Sequence, residues 1–156
     1  MKHHQIEFDE KKILLHTETT DEELSQYDSG TKVPILKDGD LEVWDSLAIL
    51  EYVSEQYYES GGWPREASAR AVARSISAEM HSSFANLRSE LPMNCRKQFN
   101  RINLSIEAAE EVTRVKEVWR ICRTQFGRSG EWLFGEYSIA DAMFAPIALR
   151  FNGYSI

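Results

Sequence analysis

The run Gly61-Gly62-Trp63-Pro64 limits this sequence more than any other feature. Two glycines and a proline within four residues end whatever regular structure precedes them, and the chain changes character across them. Residues 1–60 hold 5 Lys and Arg against 15 Asp and Glu, a net of −10, whereas residues 61–156 hold 13 against 10, a net of +3. The hydrophobic pattern changes at the same place, from a mixture of periods to helical spacing alone. Two domains are therefore expected, 1–60 and 65–156. The acidic first part argues against a nucleic-acid partner, because phosphate neutralisation supplies most of that affinity. No apolar run approaches the ~18 residues that read as a membrane span, and no signal-peptide core follows Met1. Cys95 and Cys122 make neither a disulfide framework nor a C-x-x-C pair, so the expected location is the reducing cytoplasm.

In the first part, Ile6, Phe8 and Ile13 predict a strand over 6–13. Thr20 before Asp21-Glu22-Glu23-Leu24 predicts a short helix with a hydroxyl cap, ending at the Asp28-Ser29-Gly30 loop. Two apolar runs, Val33–Leu36 and Leu41–Trp44, flank Lys37-Asp38-Gly39-Asp40, and Asp-Gly between such runs is a strong hairpin signal. After Asp45-Ser46 the apolar residues Leu47, Leu50, Val53 and Tyr57 fall on one helical face. The order is strand–helix–strand–strand–helix.

Beyond Pro64 the pattern is helical throughout. Val72, Ile76, Met80, Phe84, Leu87 and Leu91 form one stripe closed by Pro92, and Val112, Val115, Trp119, Cys122 and Phe126 form a second closed by Gly127 at C′. A third helix opens at Ser138 with Asp141 three residues on, a capping box, with Tyr137 and Ala142 at the staple positions. Pro146 inside it should bend the helix.

Spacing alone supplies no catalytic centre. His3, His4, His16 and His81 lack partners at metal-ligand spacing and read as solvated, with no metal expected. Cys122 reads as a core residue and Cys95 as an inert thiol. Lys116, Arg120 and Arg123 share one helix face, but Glu110, Glu111 and Glu117 are interleaved, so a solvated face is expected in place of a nucleic-acid-binding module. Taken singly, Asp45-Ser46 is a helix cap and Pro34 is edge-strand chemistry.

Taken together, Lys32-Val33-Pro34-Ile35-Leu36, the Asp38-Gly39-Asp40 turn and Trp44-Asp45-Ser46-Leu47-Ala48-Ile49-Leu50 resemble the glutathione-site half of the cytosolic glutathione S-transferase family. Trp132-Leu133-Phe134-Gly135 with Tyr137-Ser138-Ile139-Ala140-Asp141 resembles the start of the core helix in the same family's helical domain. The Ser77–Arg96 stretch, with Ala78-Glu79-Met80-His81 and Leu91-Pro92-Met93-Asn94, is similar to a bacterial branch. The resemblance implies an α/β thioredoxin-like N-terminal domain followed by an all-α domain, and a cytoplasmic homodimer. It also implies a cis Pro34 that leaves the Val33 main chain to pair, strand-like, with the cysteinyl unit of glutathione. The γ-glutamyl carboxylate is expected on the Ser46 hydroxyl and the helix amides, and the α-ammonium on Asp45; Lys32 lies either against the peptide or in solvent.

The implied reaction is attack of the glutathione thiolate on a small electrophile, or glutathione-assisted isomerisation of the maleylacetoacetate isomerase kind. The other expectation is a non-catalytic relative that binds glutathione or a protein. Met1–Glu7 resembles the end of the family's first helix, so the first strand, most of that helix and the activating Ser, Tyr or Cys are expected to be missing, and the C-terminal end to be short. None of Thr17, Thr19, Thr20, Ser25 and Ser29 is assigned the activating role, and no catalytic residue is expected. Unpaired buried strand amides cost about 1–3 kcal/mol each against total stabilities of about 5–15 kcal/mol. The 156 residues are therefore expected to be marginal, rearranged or dimer-dependent; a cooperative thermal transition of dilute monomer with native-like near-UV dichroism contradicts this.

Overall fold

The computed structural model describes residues 1–59, 61–100, 102–128 and 130–156, and these fall into two compact units, Met1–Gly62 and Trp63–Ile156. The expected end of the first domain, Ser60, lies outside the described residues.

In the first unit a short 3-10 turn, Lys2–His4, precedes α1 (Thr20–Leu24), β1 (Ile35–Asp38), β2 (Leu41–Trp44) and α2 (Ser46–Tyr57). The strand expected over 6–13 does not form. Strands exist by pairing, and the one sheet among the described residues is the β1–β2 hairpin. Within 6–13 Ile6 and Ile13 are half-buried, while Phe8 and the charges Glu7, Asp9, Glu10, Lys11 and Lys12 are exposed, which gives a sheet face little to bury. Thr20 is the first helical residue, not the cap. Its hydroxyl donates to the Leu14 carbonyl (2.8 Å) and accepts from the Thr17 amide (2.9 Å), tying down the preceding turn. The helix it begins ends at Leu24, short of the expected loop.

The hairpin forms two residues later than its first apolar run suggested, because Pro34 has no N–H to give a ladder. Ile35 pairs with Trp44, Leu36 with Val43, Lys37 with Glu42 and Asp38 with Leu41. Asp38 therefore belongs to the strand and the turn is Gly39-Asp40. Of these two only Gly39, at φ +58°, is left-handed, a position at which a two-residue turn favours glycine. In α2 Val53 is buried and Leu47 and Leu50 are half-buried, but Tyr57 is 50% exposed. Tyr57 is held by its hydroxyl, not by a core.

The second unit is α3 (Ala67–Ser82), α4 (Ala85–Glu90), α5 (Ile106–Gln125) and α6 (Ile139–Tyr154). The stripe from Val72 to Leu91, expected as one helix, is broken at Phe84, which sits at φ 65°, ψ 39° and is 4% exposed. Burial of the ring outweighs the cost of the left-handed backbone, and α4 starts afresh behind it. Helix α3 packs on α6 and α4 on α5. Ala73, Leu87, Leu91, Ala108, Val115, Ala140 and Ile147 are wholly buried in the core. Trp119 lies at its edge, 5.4 Å from Phe151 and 5.9 Å from Phe144 between ring centres.

Gly127 follows α5 as expected, though not with a left-handed backbone. It is needed for space, since a Cβ there would meet Arg123 Cα and the Leu133 carbonyl oxygen at 2.9 Å. Ser138 and Asp141 form the expected capping box. Asp141 also accepts from the Leu133 amide (3.0 Å), so it fixes the preceding loop as well as the helix. Tyr137 packs edge-on against Trp132, 5.0 Å between ring centres. Helix α6 runs on through Pro146.

The basic face of α5 is not simply solvated. Arg123 donates to the Trp132 carbonyl (2.9 Å) and Lys116 lies 6.0 Å over the Phe151 ring. Arg114 holds Glu79 of α3 through two bonds of 2.7 and 3.0 Å.

Glu66 caps α3, accepting from the Ser68 hydroxyl and from the Ser68 (3.0 Å) and Ala69 (2.7 Å) amides. Those bonds, the Ser68 hydroxyl first, hold its pKa down to about 2. A carboxylate depressed on folding contributes stability above its unfolded pKa and loses it as pH falls through the folded one. The cap's contribution is therefore complete above about pH 4.5 and gone near pH 2. Glu66→Gln should flatten the dependence of the melting temperature on pH between these limits, measured by circular dichroism.

Candidate functional site

The hairpin register decides which residues meet. With Ile35 opposite Trp44, the residues just before β1 and just after β2 share one open end of the sheet. Val33-Pro34 and Asp45-Ser46 are those residues, so the structure brings together four of the five site residues read from the sequence.

The Val33–Pro34 peptide is cis. Val33 is 47% exposed, and among the described residues neither its N–H nor its C=O takes part in a hydrogen bond. Lys32, the fifth residue, is exposed; its amide donates to the Ser29 carbonyl at 3.4 Å. That bond closes a turn whose central residues, Gly30 (φ +61°) and Thr31 (φ +66°), are both left-handed.

Asp45 makes the whole corner between β2 and α2. Its backbone sits at φ 75°, ψ 129°, and its Oδ1 accepts from the Leu47 (2.9 Å) and Ala48 (3.2 Å) amides. The Asp45 carbonyl accepts from Ile49 (2.9 Å). This corrects the expectation of several free helix amides, because the carboxylate expected to meet a ligand already occupies two of them. The anion-binding capacity of this terminus comes down to the Ser46 N–H and hydroxyl, neither of which bonds to another described residue. Ser46 is half-buried.

At the other end of the hairpin, Asp38 Oδ2 accepts from Tyr52 (2.8 Å) and from Tyr57. The two hydroxyls, Tyr57 foremost, hold the Asp38 carboxyl below the usual carboxylate range, and the carboxylate raises both phenols. Glu42 Oε2 accepts from the Asp28 amide (2.9 Å) and Oε1 pairs with Lys37 (3.1 Å); its carboxyl is lowered by these contacts, the Asp28 amide first. Asp38, Tyr52, Tyr57 and Glu42 were missed in the sequence. A helix running back along a four-residue hairpin must bring its last turns to the hairpin tip, so tyrosines in those turns were the available signal.

Among the described residues no activating side chain stands out. The Thr17, Thr19, Thr20 and Ser25 hydroxyls bond within their own segment, and Ser29 is buried. Burial pushes the Cys122 thiol up to about 11, while Cys95 is exposed. His4 stacks on Tyr58, 3.8 Å between ring centres. Among the described residues no three His, Cys, Asp or Glu side chains converge as metal ligands.

Residues 1–55 match the family model described as glutathione S-transferase, N-terminal domain. The chain is similar to dichloromethane dehalogenase of Methylorubrum extorquens, 35% identical over 60 residues, 37% of this chain and 21% of that one. It is similar also to dichloromethane dehalogenase of Methylophilus leisingeri, 38% identical over 65 residues, 40% and 24% of the two chains. The matched stretch thus spans between a fifth and a quarter of either relative. Among solved structures, glutathione S-transferase 1-6 from Anopheles dirus species B superposes with a TM-score of 0.65 at 19% identity, covering 94% of this chain and 68% of that one. The fold is accordingly thioredoxin-like in the first unit, with a small two-stranded sheet, and all-helical in the second.

Thr31 is β-branched and left-handed, a conformation that costs about 1–2 kcal/mol for a non-glycine residue. Asparagine tolerates it through its short amide side chain. Thr31→Asn should raise the melting temperature by a few degrees (about 0.5–1 kcal/mol) in a thermal scan.

Proposed function

We propose that the chain is a glutathione S-transferase family protein and that it binds glutathione at the open end of the β1–β2 hairpin. The carrying observation is the unengaged Val33 main chain beside the N-terminus of α2. In this reading the cysteinyl unit pairs with the Val33 N–H and C=O as an added strand. Ser46, through its N–H and hydroxyl, takes the γ-glutamyl carboxylate. The Asp45 carboxylate, oriented by the two amides it caps, accepts from the α-ammonium, and Lys32 stands beside the peptide.

The reaction we propose is the family's conjugation. The glutathione sulfur, as thiolate, forms a bond to an electrophilic carbon, and the leaving group departs with the electron pair of the bond it breaks. The names of the two bacterial relatives make a small haloalkane the first electrophile to test. We also propose a homodimer. Binding without turnover is the second reading, and it draws on the Thr17, Thr19, Thr20 and Ser25 hydroxyls being engaged within their own segment.

Two substitutions separate the roles. Asparagine caps a helix about as well as aspartate, so Asp45→Asn should leave the melting temperature within a few degrees while removing the charge. Ser46→Ala and Asp45→Asn should each weaken glutathione binding about tenfold or more in calorimetric titration, the worth of one charge-assisted hydrogen bond. Unchanged affinity in both overturns the site. Product formation from dichloromethane and glutathione, followed as chloride release, distinguishes conjugation from binding alone.

A further inference from the structure

Helix α2 lies against the hairpin with little apolar anchorage. Of its twelve residues Val53 and Ser54 alone are buried, and Ser54 uses its hydroxyl to accept from the Gly62 amide (2.9 Å). Its N-terminus is tied to β2 through Asp45, a single residue at a strained backbone angle. Something else has to fix the direction of the helix axis.

The lengths show where that constraint acts. A four-residue strand is ~13 Å long and a twelve-residue helix ~18 Å, so α2, running back from Asp45, reaches the hairpin tip with its second half. There Tyr52 (2.8 Å) and Tyr57 both donate to one oxygen of Asp38, the last residue of β1. A charged acceptor taking two hydroxyl donors is among the stronger polar contacts a surface offers. Its partners are a strand end whose register is set by the ladder and a helix end far from the ligand.

We propose that Asp38, Tyr52 and Tyr57 are positioning residues: their clamp at the tip of the hairpin sets the direction of α2, and hence the place of Ser46 relative to the Val33 main chain. The proposal rests on the glutathione reading of this site and adds the residues that tune it. The lever explains why a distant contact matters. Ser46 is seven residues from Val53, ~10 Å along the axis, so a pivot of ~10° about Val53 moves Ser46 by nearly 2 Å. Hydrogen bonds tolerate about 0.5 Å. Loss of the clamp therefore acts on the γ-glutamyl contacts at Ser46 and Asp45, and leaves the strand-like pairing at Val33, which belongs to the hairpin itself.

The test uses the full chain, labelled with nitrogen-15, and follows the amides of Val33 and Ser46 during titration with glutathione and, separately, with cysteinylglycine, which lacks the γ-glutamyl unit. In Tyr52→Phe/Tyr57→Phe the affinity for glutathione should fall 5- to 10-fold, while that for cysteinylglycine stays within twofold of the parent. Equal weakening of both ligands, or of neither, overturns the clamp as a positioning device; a purely structural contact gives one of those results. If the double variant does not fold, Tyr57→Phe alone, at an exposed position, should show the same selectivity at smaller amplitude. Absence of any glutathione-induced shift in the parent protein overturns the glutathione reading itself, and the clamp with it.

Discussion

The architecture of the first unit depends on one side chain turning one corner. Strand β2 ends at Trp44 and helix α2 begins at Ser46, so Asp45 alone reverses the chain. A one-residue corner forces an unusual backbone, and φ 75°, ψ 129° costs on the order of 1–3 kcal/mol for a non-glycine residue. Glycine would relieve that strain but could not cap. The Asp45 carboxylate offsets the cost by accepting from Leu47 and Ala48, a contribution of about 1–2 kcal/mol. The result is a helix start held against the end of the hairpin, where Val33 and Pro34 also lie.

How far the sequence reveals this depends on the range of the interaction. The Asp38-Gly39-Asp40 signal yields a hairpin and Ser138-x-x-Asp141 yields a capping box, because both are contacts between near neighbours. The departures from the sequence pattern have a common cause too. Residues 6–13 have some strand-like composition, but pairing is a property of the neighbour, not of the segment. The stripe through Phe84 has helical spacing, yet periodicity is blind to a single left-handed residue when the side chains on both sides still reach the core. Apolarity from Val33 onward suggests a strand two residues longer than the one that pairs, because Pro34 lacks the donor a ladder needs. At the candidate site the cap at Asp45 is legible in the sequence and its cost is not: the carboxylate takes the Leu47 and Ala48 amides, which leaves Ser46 as the open group of the helix start.

In the helical unit the same distinction separates packing from polar ties. The buried faces of α3, α5 and α6 follow from spacing. What locks their connections does not: Glu111 of α5 accepts from the Leu87 amide (2.7 Å) at the start of α4, Glu90 accepts from the Ser105 amide (3.0 Å) and hydroxyl (2.6 Å), and Arg150 donates to the Leu91 carbonyl (2.8 Å). Each joins residues 15 to 59 positions apart, and each satisfies a main-chain group that a helix end or loop leaves unpaired. A surface charge and such a tie look identical in sequence. Arg123 shows the point, reading as part of a basic face and serving as a donor to the Trp132 carbonyl.

Left-handed residues occur in both units, and what surrounds them differs. Phe84 is buried to 4% exposure, and the apolar area of a phenylalanine ring, worth about 1.5–3 kcal/mol when buried, is sufficient to hold its backbone. Thr31 is exposed and Asp45 half-buried, so neither is held by a core. Thr31 lies in the turn that delivers Val33, and Asp45 makes the corner that delivers Ser46. Each is held instead by local hydrogen bonds, the Lys32 amide to the Ser29 carbonyl around Thr31 and the Leu47 and Ala48 amides to the Asp45 carboxylate. The Val33 main chain and the Ser46 N–H and hydroxyl are the unengaged polar groups that these two residues place at one end of the hairpin. What these two residues place is main-chain geometry and not a set of reactive side chains, which is why composition and spacing disclose so little of it.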